Sequence, residues 1–137
     1  MKKIMFAGMV LAVGTVNAFA NCDSNTKVQA SVLAGQSVDA SSSGENWKES
    51  HCGSGTSGEL WKVGAGTAVD PAVKIGTWST KAHDVTYDYG TGGAYTWTLH
   101  KVGTTYFFCN GNSEVASGTL GSLGDCSAPA SASAPAP

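Results

Sequence analysis

Large and polar side chains alternate between positions 85 and 100, and few folds accommodate such a pattern. Apolar or aromatic residues take every second position on both sides of a glycine-rich stretch: Val85, Tyr87 and Tyr89 before it and Tyr95, Trp97 and Leu99 after it. A period of two is typical of β-strands that turn one face to a core, because successive side chains of a strand point to opposite faces. The pattern therefore predicts a β-hairpin.

The register of this hairpin follows from the requirement that both apolar sets lie on one face. The pairing that we predict sets Tyr89 opposite Tyr95, Tyr87 opposite Trp97, and Val85 opposite Leu99. A loop over 90–94 then joins the two strands, and its length is permissible for a hairpin. The other face is expected to meet solvent, and it carries Thr86, Asp88, Thr96, Thr98 and His100.

Short runs of the same kind occur along most of the chain. They are rich in aromatic, β-branched and threonine residues, and glycines separate many of them. Outside the hairpin they span 47–52, 60–63, 75–79, 105–109 and, with a weaker pattern, 114–120. Regularly spaced short strands predict a mainly β domain, an antiparallel meander of about six strands that forms a small sandwich or barrel.

The segment before these strands has the signals of a short helix. Ser24 and Asn25 are good capping residues, apolar residues lie at helical spacing after them, and Gly35 follows. These signals predict one N-terminal helix over 26–34 that packs on the meander. A strand over 28–38 is the alternative.

The beginning of the chain has the layout of a signal peptide. Two lysines precede an apolar run over 4–16, and Ala18-Phe19-Ala20 offers small residues before Asn21. A cleavable secretory signal over 1–20 is therefore expected, which directs the protein to the periplasm or out of the cell. An uncleaved anchor would need about 20 apolar residues. A lipid-modified start at Cys22 is a further alternative.

The end of the chain differs in composition from the part before it. Residues 127–137 are all Ser, Pro or Ala, which predicts a disordered tail because nothing there can be buried. One β-rich domain over 21–126 remains between the expected signal and the tail.

The charge of this domain disfavours anionic partners. Six lysines and ten acidic residues lie after position 20, which gives a net charge of −4 with histidine neutral, and the sequence contains no arginine. Bidentate guanidinium contacts to phosphates are therefore impossible. Neither nucleic acid nor stable membrane insertion is expected, and the partner is expected to be a protein or a glycan of the cell envelope or the exterior.

Four cysteines follow the expected signal: Cys22, Cys52, Cys109 and Cys126. An even number in an oxidising compartment predicts two disulfides. A zinc site is disfavoured, because no C-x-x-C pair occurs and the chain has three histidines. Of the three possible connectivities we favour Cys52–Cys109 with Cys22–Cys126, since the first pair would join two strand ends and the second the two ends of the domain.

Binding residues are predicted around the glycine-rich loop at 53–58. The loop has G-x-G-x-x-G spacing, but the run after it is strand-like, so a hairpin loop is expected and not a dinucleotide site. Trp47 and Trp61 flank it and are expected to be exposed, where indole rings would form a platform for a sugar or a protein anchor. Glu49 and His51 share a strand face and complete the predicted binding set. No motif predicts a cofactor or a metal ion.

We expect a non-catalytic interaction or ligand-binding domain that uses these aromatic residues. A periplasmic inhibitor of a hydrolase such as lysozyme is a second hypothesis, with Glu45, Glu49 or His51 as contacts. A small hydrolase is a third, and it requires Glu49 and His51 to converge with Asp84 or Asp88 in a pocket.

Several short motifs between Trp47 and Cys109 carry a resemblance to known proteins. They are Trp47-Lys48-Glu49, Gly58-Glu59-Leu60-Trp61, Val69-Asp70-Pro71, Gly76-Thr77-Trp78-Ser79, Val85-Thr86-Tyr87-Asp88-Tyr89-Gly90, Tyr95-Thr96-Trp97-Thr98 and Tyr106-Phe107-Phe108-Cys109. In these motifs the run resembles small exported bacterial β-meander proteins of uncharacterised function, which implies the fold class and export. The Gly76-Thr77-Trp78 motif before a meander is also similar to the opening of lipocalin-like barrels. Lipocalins are longer and have a larger cavity, so this similarity implies a barrel and not ligand carriage.

Overall fold

The computed structural model describes residues 21–64 and 71–127. Its core is a closed barrel of eight antiparallel strands in the order of the sequence. The strands are β1 (Ser37–Ser42), β2 (Glu45–His51), β3 (Ser57–Lys62), β4 (Val73–Lys81), β5 (Asp84–Asp88), β6 (Ala94–Val102), β7 (Thr105–Asn110) and β8 (Ser113–Gly121). The mainly β class and the antiparallel meander are confirmed, and the barrel is the form that the meander takes.

Closure of the barrel depends on β1, which pairs with both β2 and β8. The sequence of β1, Ser-Val-Asp-Ala-Ser-Ser, has little β propensity, and we predicted no strand there. Pairing on both sides satisfies its backbone groups and leaves the sheet without an open edge.

The hairpin of β5 and β6 has the predicted faces in a different register. Tyr87 lies opposite Tyr95 and Val85 lies opposite Trp97, so the pairing is shifted by two residues. A shift of two keeps every side chain on its predicted face. The loop then covers 89–93 and contains a 3-10 turn at Gly90–Gly92, because Asp88 Oδ1 accepts a hydrogen bond from the Gly90 amide.

The predicted N-terminal helix is wrong. Two 3-10 turns, Ser24–Thr26 and Ala30–Leu33, take its place, joined by an extended stretch. The backbone amides of this segment bond to the barrel instead of to each other: Val28 N–H donates to Leu99 O and Ala30 N–H donates to Ala82 O. Hydrogen bonds to the barrel therefore determine the conformation of this segment, and its weak local helix propensity does not.

The N-terminal segment also corrects the predicted solvent face of β6. Lys27 forms an isolated bridge with His100, and Thr26 Oγ1 lies 2.8 Å from His100 Nδ1. His100 is therefore buried, 1% exposed, although it lies outside the barrel. Thr96 and Asp88 on the same face are exposed, as predicted.

The two ends of the barrel differ. At one end, which we term the closed end, the second 3-10 turn buries Ala30 and Leu33 against the core residues Leu60 and Trp78. The other end, which we term the mouth, has the β1–β2, β5–β6 and β7–β8 turns. Strand β3 ends and strand β4 begins at the mouth, and 65–70 lie outside the described residues.

The disulfides are Cys22–Cys109 and Cys52–Cys126, so the favoured pairing was wrong. The N-terminal segment runs along the outer face of β6 and β7 and reaches Cys109. The chain after β8 returns to the end of β2, where Gly124 N–H donates to Ser50 Oγ, and so reaches Cys52.

Two disulfides indicate an oxidising compartment, periplasmic or extracellular. No helix within the described residues has the length and apolar character needed to cross a membrane. The expected signal peptide over 1–20 lies outside the described residues, and so does the expected tail apart from Ser127.

Candidate functional site

A cavity of about 120 Å³ lies inside the barrel at the mouth. We term it the mouth cavity. Its lining residues are apolar or aromatic apart from one serine and one glutamate. They are Val38, Ala40, Ser42, Trp47, Glu49, Tyr87, Tyr89, Trp97, Phe108, Val115 and Ala116. The closed end is filled by Leu33, Leu60 and Trp78, none more than 1% exposed.

Strand β2 places three of the predicted binding residues on the inner face. Trp47, Glu49 and His51 occupy every second position of β2. Their side chains point into the barrel, with Trp47 nearest the mouth and His51 nearest the closed end. Trp47 and Glu49 line the mouth cavity. Glu49 and His51 share this face, as their spacing predicted, and Trp47 lies on it as well.

Among the described residues that line the mouth cavity, Glu49 is the only one with an acidic side chain. Desolvation raises the pKa of its carboxyl from 4.5 to about 7, and a hydrogen bond from the Trp47 side chain opposes part of this effect. The carboxyl is therefore partly ionised at neutral pH, in contact with aromatic rings.

His51 is fully buried below Glu49 and is held in one orientation. Its Nδ1 lies 3.2 Å from the Gln36 carbonyl oxygen and its Nε2 lies 2.8 Å from the Tyr87 hydroxyl. A carbonyl only accepts, so Nδ1–H donates to Gln36 and the Tyr87 hydroxyl donates to Nε2. Burial lowers the pKa of His51 to about 4, and the ring is neutral at pH 7.

A row of aromatic rings leads from His51 to the rim of the mouth. The ring centroids of Tyr87 and Tyr89 are 6.4 Å apart, those of Tyr89 and Tyr95 are 6.2 Å apart, and those of Tyr95 and Trp97 are 6.1 Å apart and nearly parallel. Burial, followed by the charge of Glu49, raises the pKa of Tyr89 to about 12 and raises the pKa of Tyr87 well above its usual value. Both phenols are therefore neutral at physiological pH.

The predicted platform of Trp47 and Trp61 does not form. Trp61 lies on the outer face, where its indole N–H donates to Glu59 Oε1 at 2.9 Å, and Glu59 pairs with Lys74 at 3.3 Å. The register of β3 and β4 shifts between Leu60 and Trp61. Trp61 is half-buried, and Trp47 is half-buried on the inside of the barrel, so the expected exposure was wrong for both.

The structure also separates the residues that the hydrolase hypothesis requires. Asp84 accepts a hydrogen bond from Thr98 and Asp88 accepts one from the Gly90 amide, and both carboxylates are exposed on the outer face. Glu49 and His51 lie inside the barrel, so the four residues do not converge.

The contacts proposed for a hydrolase inhibitor do not share a surface either. Glu45 is exposed at the mouth, whereas His51 is fully buried and Glu49 lines the mouth cavity. The glycine-rich loop is tethered through the Cys52–Cys126 disulfide, but these three side chains do not lie on it.

A second cavity, of about 190 Å³, lies outside the barrel under the N-terminal segment. It is more polar and is lined by Cys22, Ser24, Lys27, Thr98, His100, Gly111 and Asn112. Within residues 21–64 and 71–127, no group of three or more metal-ligating side chains is assembled there or elsewhere.

Neither protein-family models nor curated proteins nor solved structures gave a match to the chain. The geometry of the chain itself is therefore the basis for assigning a function. Unfilled space, inward-facing rings and a buried carboxyl coincide in the mouth cavity, which makes it the candidate site. The sequence analysis missed Tyr87, Tyr89 and Trp97 as site residues, although their alternation signalled a shared inner face.

Proposed function

We propose that this domain is an exported, non-catalytic binding protein that holds a small, ring-sized molecule in the mouth of its barrel. The observation that carries the proposal is the mouth cavity, an unfilled space of about 120 Å³ among aromatic side chains. Concave, mainly apolar sites with a few polar groups are the usual form of small-molecule sites.

The size of the mouth cavity supports a ligand of one ring. An engineered apolar cavity of about 150 Å³ in another protein takes up benzene. Protein interiors are otherwise close-packed, with few voids larger than a water molecule.

The aromatic residues named in the sequence analysis enter this proposal in a changed role. Trp47 is part of the lining, and the row from Tyr87 to Trp97 replaces Trp61 as its partner. The similarity of the Gly76-Thr77-Trp78 motif to the opening of lipocalin-like barrels supports the barrel and not the ligand. A site of one ring is smaller than a typical lipocalin cavity, as the shorter chain implies.

The proposal is tested by calorimetric titration of the oxidised protein with ring-sized probes, namely benzyl alcohol, indole and benzylamine. We expect saturable binding of at least one probe at one site. Ala116→Leu fills the mouth cavity from β8 and should abolish that binding, because Ala116 lines the cavity. Thr119→Leu adds a comparable group to the exposed face of the same strand and should leave binding unchanged.

Two results would refute the proposal. One is the absence of saturable binding for every probe. The other is binding that Ala116→Leu leaves intact, which would place the ligand elsewhere on the protein.

A further inference from the structure

We infer that the mouth cavity is specific for a small organic cation, a protonated or quaternary amine, with Glu49 as the counter-ion and the surrounding rings as cation–π partners. This inference rests on the proposed function, since it names the class of ligand for the same site. Three observations support it: aromatic rings line the cavity, the Glu49 carboxyl has no described ion-pair partner, and the chain is acidic.

The rings are arranged on several sides of the carboxyl. Trp47 comes from β2, Tyr89 follows β5 directly and Trp97 comes from β6, and all three line the same cavity as Glu49. The face of an aromatic ring carries negative charge and attracts a cation within about 6 Å, most strongly for tryptophan and when water is excluded. A cavity of this composition favours a cation over a neutral molecule of equal shape.

Tyr87 takes part through its ring and not through its hydroxyl. Its O–H donates to His51 Nε2, which accepts because Nδ1–H is bound to the Gln36 carbonyl. The ring is also fixed against Phe108, with centroids 6.2 Å apart. The cavity wall is therefore rigid at this point, and the phenol O–H is already engaged.

The carboxyl has no cationic partner among the described residues. The ion pair found in the described part of the chain joins Lys74 to Glu59 on the outer face. Lys62 lies opposite Glu49 in the register of β2 and β3, but its side chain is exposed, is not part of the cavity lining and forms no described ion pair with Glu49. The other titratable groups near Glu49 are His51, Tyr87 and Tyr89, all neutral at pH 7. The other lining residues from β1, β6, β7 and β8 are not titratable, and 65–70 contains no Lys, Arg or His.

A partly buried carboxylate without a counter-charge is unfavourable, and its raised pKa expresses that cost. A ligand cation supplies the missing charge and shifts the carboxyl to its ionised form. The acidic chain, with a net charge of −4 after position 20, also attracts cations to the mouth. A neutral ligand would instead have to accept a hydrogen bond from the protonated carboxyl, and the two cases have opposite pH dependence.

The test compares two pairs of probes in which each member has nearly the same shape. Benzylamine is matched with benzyl alcohol, and choline with 3,3-dimethylbutan-1-ol, in calorimetric titrations of the oxidised full domain at pH 6 and pH 8. At pH 8 we expect the cation of at least one pair to bind about tenfold more tightly than its neutral partner. Affinity for that cation should rise about tenfold from pH 6 to pH 8, because the ionised fraction of Glu49 rises by that factor around a pKa of about 7.

Glu49→Gln separates the charge from the shape of the cavity. It should weaken cation binding about tenfold and remove its pH dependence, while binding of the neutral partner changes less than about twofold. Retained binding of the neutral partner also shows that the variant is folded. Glu45→Gln removes a carboxylate from the exposed mouth end of the same strand, outside the lining, and should reproduce the wild type.

Three outcomes would overturn the inference. If neutral probes bind as tightly as the cations, or if affinity falls as the pH rises, the ligand is neutral and the proposed function stands without the cation. If Glu49→Gln binds the cations as the wild type does, Glu49 is not the counter-ion. If neither member of either pair binds but indole does, the inference alone fails; if indole does not bind either, the proposed function fails with it.

Discussion

Glu49 and His51 lie two residues apart on the inner face of one strand, and their surroundings are opposite. His51 lies toward the closed end, where two hydrogen bonds fix its neutral form and Trp78 packs edge-on at a centroid distance of 5.7 Å. Glu49 faces the mouth cavity, where rings surround its carboxyl and leave space beside it. Burial shifts the pKa of both side chains toward the uncharged form, downward for His51 and upward for Glu49.

The difference indicates that the closed end stabilises the fold and the mouth forms the candidate binding site. The closed end buries Leu33, Leu60 and Trp78 almost completely, and the Trp78 indole N–H donates to the Cys52 carbonyl at 3.1 Å. Stability is therefore concentrated there. The mouth keeps unfilled space and a desolvated carboxyl, and both reduce stability, as is common where a protein binds a ligand.

The largest difference between the two ends is expected for tryptophan truncation. Trp78→Ala removes a side chain that is 1% exposed and a hydrogen bond, and it should lower the free energy of unfolding by about 3–5 kcal/mol. Trp47→Ala removes a half-buried ring beside existing space and should cost about 1–2 kcal/mol. Urea unfolding of the oxidised proteins measures both values. Equal losses would contradict the division between the ends.

The pH dependence of stability should show both shifted groups, with opposite signs. The folded pKa of His51, about 4, is below its ordinary value of 6.5, so stability is lost as pH falls from about 6.5 to 4. The folded pKa of Glu49, about 7, is above its ordinary value of 4.5, so stability is lost as pH rises from about 4.5 to 7. Each contribution is on the order of 3 kcal/mol. Urea unfolding across this range should therefore give a plateau between about pH 4.5 and 6.5, with losses on both sides.

Single substitutions isolate the two contributions. Glu49→Gln should abolish the loss on the alkaline side and make the protein more stable than the wild type at pH 8, whereas His51→Asn should abolish the loss on the acid side at a lower overall stability. Glu45→Gln serves as the exposed control on the same strand. An unchanged profile for Glu49→Gln would show that its carboxyl is solvated in the folded protein.

The faces of the strands were predictable from the sequence, but their register and closure were not. Alternation around Tyr87 and Trp97 set which side chains turn inward, and a shift by two residues leaves that alternation intact. The register is decided by the turn, where Asp88 accepts from Gly90 and Gly93 adopts a φ of 96°. Strand β1 was not predicted because its own residues have little β propensity. It is extended because it pairs with β8, which is distant in sequence.

Only the part of the candidate site that lies on strand β2 was predictable from the sequence. Spacing placed Glu49 and His51 together on one face of β2, whereas Trp61 lies on the outer face because it follows the inward-facing Leu60 in a strand that pairs regularly with β2. The other walls of the mouth cavity come from β1 and from β5 to β8, and their approach to β2 depends on barrel closure. The disulfide pairing was wrong for the same reason, because it depends on the path of both chain ends over the closed barrel.

The smallest expected effect concerns the turn at the mouth. Asp88→Ala removes the side-chain acceptor for the Gly90 amide and should lower the free energy of unfolding by about 1 kcal/mol. Tyr89, which follows directly, lines the mouth cavity, so probe affinity should also fall by a few-fold. Asp23→Ala is the matched control, because Asp23 accepts from the Asn25 amide in the same way at a turn outside the barrel. It should cost similar stability and leave probe binding unchanged, and equal losses of affinity in the two variants would show that the turn does not position the site.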